Sequence, residues 1–215
     1  MSVSRKSATG SIGLGFRAGK GGGVLVGIAV DDGVPRLVLS TFLRMAADGD
    51  RLALEPYRVA YEMKRGPDGG ASAEAVAAVA EGHERQVDFA AKGLAEIVHK
   101  LRDAASRPVI AALLVNRAGW ITDALAYGLS WPEHVPIAEG LAVRDAFRHA
   151  CGRCGLDVAE VDEKSLHAVA AERLRLSSHD VDGQLKSLGA TGGKPWRKEQ
   201  KLASLAAWIT IAGMQ

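Results

Sequence analysis

Cysteine is scarce in this chain, two in 215 residues, which excludes a disulfide-dense scaffold. Long hydrophobic runs are missing too: no stretch reaches the roughly 18 consecutive apolar residues of a membrane-spanning helix. Residues 1–10 carry the basic pair Arg5-Lys6 but no apolar signal-peptide core. Together these absences lead us to expect a cytoplasmic protein with no membrane partner. Aromatic residues make up only 5% of the chain while alanine is abundant, so helices are expected to pack through small side chains. Charge of either sign is not in excess, 27 basic against 25 acidic residues, so a nucleic-acid partner has to be argued from local clusters. There is no Gly-x-Ser-x-Gly elbow, no His-Glu-x-x-His pair and no Walker A sequence. The spacing of Gly10, Gly13 and Gly15 falls inside a strand-like run, where a dinucleotide fingerprint has no helix to open.

What the chain does have is a series of β-type runs at its start. Ser11-Ile12-Gly13-Leu14-Gly15-Phe16, then residues 23–30, then residues 36–42 are separated by a glycine-rich link and by Asp31-Asp32-Gly33-Val34-Pro35. Such links join neighbouring strands, so an antiparallel meander is predicted. Residues 54–63 place Tyr57, Val59 and Tyr61 at alternate positions and read as an extension or edge segment, Pro56 arguing against a central strand. Residues 72–105 read as one long helix, capped by Ser72, with Val76, Val79, Val87, Leu94, Ile97, Val98 and Leu101 on its apolar side and Gly82 and Gly93 as weak points. The run 108–115 has the continuous apolar character of a parallel strand buried on both faces. Residues 120–136 carry no clear pattern. A helix over 138–154 stopped by Gly155, a second parallel strand over 156–161, a helix over 163–174, a flexible Thr191-Gly192-Gly193 and a final helix over 199–212 complete the order.

Three strands, helix, strand, helix, strand, helix is the succession of the ribonuclease H-like superfamily. The helix, Gly155 and Asp157-Val158-Ala159-Glu160-Val161 look like the helix and fifth strand of RuvC-type resolvases, and Gly189-Ala190-Thr191-Gly192-Gly193-Lys194 with Lys201 resembles their segment before the last helix. The resemblance implies one three-layer α/β domain over residues 1–215, with residues 1–10 flexible. Its mixed five-stranded sheet has three antiparallel strands, then two parallel ones, and helices on both faces.

RuvC-type nucleases hold two divalent metals with several carboxylates, one of them inside the first strand. Here that strand offers Gly13, Gly15 and Arg17, the fourth strand ends in Asn116-Arg117, and the last helix reads Lys201-Leu202-Ala203-Ser204-Leu205-Ala206-Ala207 where the family carries an Asp. Counting residues 24–30 as the first strand instead sets Asp31 and Asp32 at its end, which leaves Asp31, Asp32, Glu62, Glu160, Asp162 and Glu163 as candidate catalytic acids. The bland reading makes them solvated charges at strand ends. No metal or other cofactor is expected unless the nuclease alternative holds, in which case it is Mg or Mn.

Arg17 and Lys20, within a run of five glycines counted from Gly15, are candidate phosphate ligands, against a plain exposed hairpin. Lys186, Lys194, Arg197, Lys198 and Lys201 surround Trp196, a composition suited to meeting phosphates and stacking a base, against a tryptophan that simply anchors the helix. His149, Cys151, Cys154 and His167 contain metal-ligating groups, but the spacing lacks the paired pattern of a zinc site, and the cysteines read as packed thiols. The favoured expectation is a non-catalytic protein that binds structured nucleic acid or a protein partner, including a second copy. A metal-dependent nuclease and a phosphate- or nucleotide-binding module are the alternatives.

Overall fold

The opening meander forms as its turns dictate. β1 (Ile12–Gly19) and β2 (Gly22–Asp31) are antiparallel and joined by Lys20-Gly21, and β2 returns through Asp32-Gly33 into β3 (Val34–Arg44). Asp32 and Gly33 adopt φ of 53° and 81°, the left-handed conformation an Asp-Gly hairpin turn requires. These coordinates are a computed structural model that describes residues 10–105, 107–116, 118–192 and 194–213. Residues 1–9 of the segment expected to be flexible therefore lie outside the described residues.

The long helix α3 (Ala73–Ala105) begins where Ser72 accepts the Ala75 N–H at 3.2 Å. It is continuous through Gly82 and Gly93; Val76, assigned to its apolar side, is exposed. β4 (Val109–Val115) lies parallel to β1, with Ile12 opposite Val109 and Arg17 opposite Leu114, and β5 (Val158–Asp162) lies parallel to β4. The sheet order β3-β2-β1-β4-β5, with helices on both faces, is the mixed five-stranded arrangement anticipated.

Two expectations are corrected. Residues 54–63 are helical: α1 (Arg51–Leu54) is capped by Asp50, which accepts the Ala53 N–H at 3.1 Å, and α2 (Pro56–Glu62) starts with Pro56. Proline suits a first helical position because no N–H is needed there, and burial of Pro56 and Ala60, four residues apart, overrides the alternation of Tyr57, Val59 and Tyr61. Thr191 and Gly192 end the helix α7 (Ser178–Gly192), the Thr191 hydroxyl donating to the Leu188 carbonyl at 2.9 Å, while Gly193 lies outside the described residues. The stretch without a pattern holds α4 (Ala124–Ser130), capped by Asp123, and a 3-10 turn Pro132–His134.

The two faces of the sheet carry different cores. On one, Leu14, Phe16 and Leu113 pack with α3 and α5 (Val135–Arg153), Phe16 and Phe147 having ring centroids 5.1 Å apart. On the other, α8 (Lys198–Ala212) is buried almost all round, between the sheet and α6 (Leu166–Leu174) with α7. It approaches β1 backbone to backbone: a Cβ on Gly15 would stand 1.8 Å from the Ala203 carbonyl oxygen, and one on Gly13 2.5 Å from that of Ala207. Among the described residues no helix is long and apolar enough to cross a membrane.

Candidate functional site

Side chains alternate along a strand, so Arg17 follows Gly13 and Gly15 on the face toward α8. Because α8 runs antiparallel to β1, with Ala207 at Gly13 and Ala203 at Gly15, its first turn arrives at Arg17. The guanidinium binds Glu163 in a two-pronged pair, Nε to Oε2 and Nη2 to Oε1, both 3.1 Å, and its Nη1 stands 3.7 Å from Oε1 of Glu199 in that first turn. Glu163 follows β5 directly, its N–H donating to the Val115 carbonyl at 2.9 Å. The carboxyl ends of β1, β4 and β5 thus meet the start of α8 around one arginine and two glutamates. In an open α/β sheet this end, where neighbouring parallel strands leave in different directions, is where ligands bind.

Two further charged groups reach this end from α5. Arg144 is half-buried, and no hydrogen bond or ion pair joins it to another described residue; burial, then the nearby Arg148, pulls its pKa down, while Glu163 pushes it up. Glu139 accepts the Arg58 backbone N–H at 2.9 Å through Oε1, whereas its buried Oε2 has no hydrogen-bond partner among the described residues. Burial pushes the Glu139 carboxyl up to about 7, against the opposing hydrogen bonds from the Arg58 and Tyr57 backbones. Neither residue was among the sequence candidates. The signal available was the 136, 139, 140, 143, 144 spacing, one helix face that mixes small, apolar and charged residues.

The sequence candidates are dispersed. Asp31 and Asp32 lie at the opposite end of the sheet, so the alternative strand register is overturned: β2 is antiparallel to β1, and its last residues pass Ile12, the start of β1. There Asp31 accepts Arg36 Nε at 3.0 Å and Arg107 Nη2 at 2.8 Å, and these bonds, that of Arg36 first, hold its carboxyl below the usual range. Glu62 ends α2 and pairs with Arg51 at 2.7 Å, and Glu160 accepts Arg148 on the α5 side of β5. Asp162 ends β5 and accepts the Lys164 N–H at 3.0 Å. Glu160, level with Phe16, and Asp162 stand at the end where Arg17 stands, but of these candidates it is Glu163 that pairs with it. Arg117 lies outside the described residues.

Lys20 occupies the β1–β2 turn and pairs with Glu55 at 2.7 Å, so the glycine hairpin is a tight turn rather than an open anion loop. Lys194, Arg197, Lys198 and Lys201 are exposed just before and within the first turn of α8, next to Glu199. Trp196 is not an open stacking platform: its Nε1–H donates to the Leu185 carbonyl at 3.0 Å and its ring lies against Gly189, joining α7 to α8. Lys186 is exposed on α7, beside that acceptor residue. Cys151 is buried, which pushes its thiol up to about 12; Cys154 is half-buried and also raised by burial. His149 turns its Nδ1 to the Asp145 carbonyl, and His167 is exposed on α6.

Two solved structures share the arrangement over nearly the whole chain. T. thermophilus RuvC in complex with a Holliday junction substrate superposes with a TM-score of 0.52 at 12% identity, covering 93% of this chain and 92% of that one. The Thermus thermophilus RuvC structure gives 0.51 at 12% identity, covering 94% and 95%. This chain has the RuvC-like fold. At this identity the likeness is one of fold, and at the level of sequence no protein-family profile and no curated protein matches the chain.

The RuvC-like fold raises the question of a metal pair, and the residues present do not fit one. The arginine on β1 puts positive charge between Glu163 and Glu199, where cations would need carboxylates. Among the described residues no three His, Cys, Asp or Glu side chains are grouped to hold a metal ion.

Proposed function

We propose that this chain is a non-catalytic member of the ribonuclease H-like superfamily that binds structured nucleic acid across the carboxyl end of its sheet. One observation carries the reading: the first strand presents Arg17, held in a two-pronged pair with Glu163, on the face and at the end where a RuvC-type nuclease needs a carboxylate. The N–H groups of that guanidinium not taken by the two carboxylates are donors for phosphate oxygens in place of a metal bridge. The exposed basic run Lys194, Arg197, Lys198 and Lys201 stands beside it through Glu199, and Trp120 and Trp131 are exposed on the segment that follows β4. That a RuvC-like neighbour is seen on a Holliday junction favours branched DNA as the first substrate to try. Cytoplasmic residence and a single domain over the full chain remain parts of the same proposal.

The test is a combined gel-shift and cleavage assay with Mg²⁺ and Mn²⁺ on branched, single-stranded and duplex DNA and RNA. Retarded, intact nucleic acid is expected, with affinity falling steeply as salt rises. Changing Lys194, Arg197, Lys198 and Lys201 together to alanine is expected to weaken binding by about tenfold or more, because each lost phosphate contact removes released counterions. Metal-dependent cleavage by the purified chain would overturn the non-catalytic reading, and unaltered affinity of the fourfold variant would remove the basic segment from the interface.

A further inference from the structure

The β1–β2 turn, α2 and α5 enclose a cavity of about 330 Å³ beside the carboxyl end of β1. That is the small end of the range of roughly 300–1,000 Å³ in which pockets hold compact organic ligands. Its walls are mixed in an ordered way. Leu54, Val135 and Val143 give it apolar sides, while Lys20, Arg58 and Arg144 bring cations and Glu55 and Glu139 acids. Lys20 is committed to Glu55, but Arg144 has no polar partner among the described residues and Oε2 of Glu139 is buried without a hydrogen bond. A buried carboxylate oxygen left unpaired is costly, and a half-buried guanidinium with no carboxylate partner beside it is open to an anion; each is matched by a ligand group of the opposite kind. Glu139 and Arg144 lie five residues apart, a rise of about 7.5 Å along α5. A ligand that matches these walls is apolar in its middle, with an N–H donor at one edge and an anion at the other end.

From this we infer that the cavity takes a single nucleotide, its base inward with an N–H on Glu139 and its phosphate on Arg144. The inference rests on the nucleic-acid reading only for the source of that nucleotide, an unpaired residue of a bound strand; the recognition chemistry is the same for a free one. Holding an unstacked base by its polar edge between apolar walls is how proteins keep a nucleotide out of a helix. A zwitterionic amino acid would also match one anion and one donor, but it leaves the apolar walls without a partner.

The test uses the full chain with DNA bearing 2-aminopurine as a single-nucleotide bulge, the same duplex without the bulge, and each of the four nucleoside monophosphates. Gly140→Leu fills the cavity from a position where an added Cβ has open space, its nearest neighbour being Arg144 Nη1 at 4.0 Å, and Arg144→Ala removes the anion contact. We expect the bulged DNA to bind at least tenfold more tightly than the duplex, and either variant to erase that preference. Gly140→Leu leaves duplex affinity unchanged. We also expect a nucleoside monophosphate to shift the amide resonances of Gly140 and Val143 in the parent but not in Gly140→Leu. Bulge preference absent together with no nucleotide-induced shift overturns the pocket while leaving duplex or junction binding intact. Nucleotide shifts with no binding of any polynucleotide support the pocket and overturn the nucleic-acid reading. Shifts produced by glycine or alanine and by no nucleotide overturn the assignment of ligand class.

Discussion

The two faces of β1 differ in every respect that sets what stands at its end. One face carries Leu14 and Phe16 and meets α5 through Phe147; the other carries Gly13 and Gly15 and meets the backbone of α8. On the side with the large side chains a cavity opens between the β1–β2 turn and α5, where Glu139 is half-buried and its Oε2 has no hydrogen bond to a described residue. Glycines let α8 close onto the strand, and its first turn delivers Glu199 to Arg17 and Glu163. The acid on the spaced side makes no ion pair with a described residue, whereas the acids on the tight side share one arginine. Packing distance, more than charge count, decides which carboxylate at this end of the sheet is available to a ligand.

The comparison breaks most severely at Gly15. Gly15→Ala sets a methyl group 1.8 Å from the Ala203 carbonyl oxygen, a contact that backbone cannot relieve by rotating a side chain. Loss of cooperative unfolding in a urea titration is the expected result, and a normal transition would show that α8 can step back from β1. On the opposite face Phe16→Ala removes a fully buried ring and is expected to cost about 3–5 kcal/mol in the same titration, with folding retained.

A smaller effect sharpens the contrast in charge. The Glu139 carboxyl sits at about 7 in the folded chain and near 4.5 when free, so between those values the folded state binds more protons than the unfolded state. Stability contributed by this group is then full below pH 4.5 and lost as pH rises through 7. Glu139→Gln is expected to remove that slope, gaining about 1–3 kcal/mol on the parent between pH 4.5 and pH 8 in paired melts. Parallel pH profiles would place Glu139 in solvent. Smallest of all, Arg17→Asp adds a third carboxylate beside two partly exposed glutamates and is expected to cost about 1–2 kcal/mol in metal-free buffer, since solvent screens the pair. Mn²⁺ should recover this loss in a thermal shift assay and leave the parent unchanged; no Mn²⁺ effect on the variant would show that the glutamates cannot converge on a cation.

The strand order was readable because turn chemistry and apolar runs are local: Asp32-Gly33 makes a hairpin wherever it sits, and the run ending at Val115 is too apolar for an exposed strand. Residues 54–63 were misread because alternation in a short segment competes with tertiary burial, and docking of Pro56 and Ala60 won. Arg17 is visible in the sequence, as the residue the first strand offers in place of an acid and as a candidate phosphate ligand; its partner Glu163 lies 146 residues away, and no spacing rule reaches so far. Trp196 misled as a stacking platform for a similar reason, since only the docking of α7 shows that its indole N–H is already used.

The sequence by itself determined the meander, the two parallel strands, the helices α3, α5, α6 and α8 and the absence of an acid from the first strand, all of which follow from residue-by-residue preference and periodicity. Only the tertiary structure decided that Asp31 belongs to the wrong end of the sheet, that Arg17 closes on Glu163 and Glu199, and that Oε2 of Glu139 and the Arg144 guanidinium face a cavity with no hydrogen bond to another described residue. The physical reason is that a side chain's charge and hydrogen-bonding capacity are local properties, whereas which of them remain unsatisfied depends on how closely two distant backbones approach.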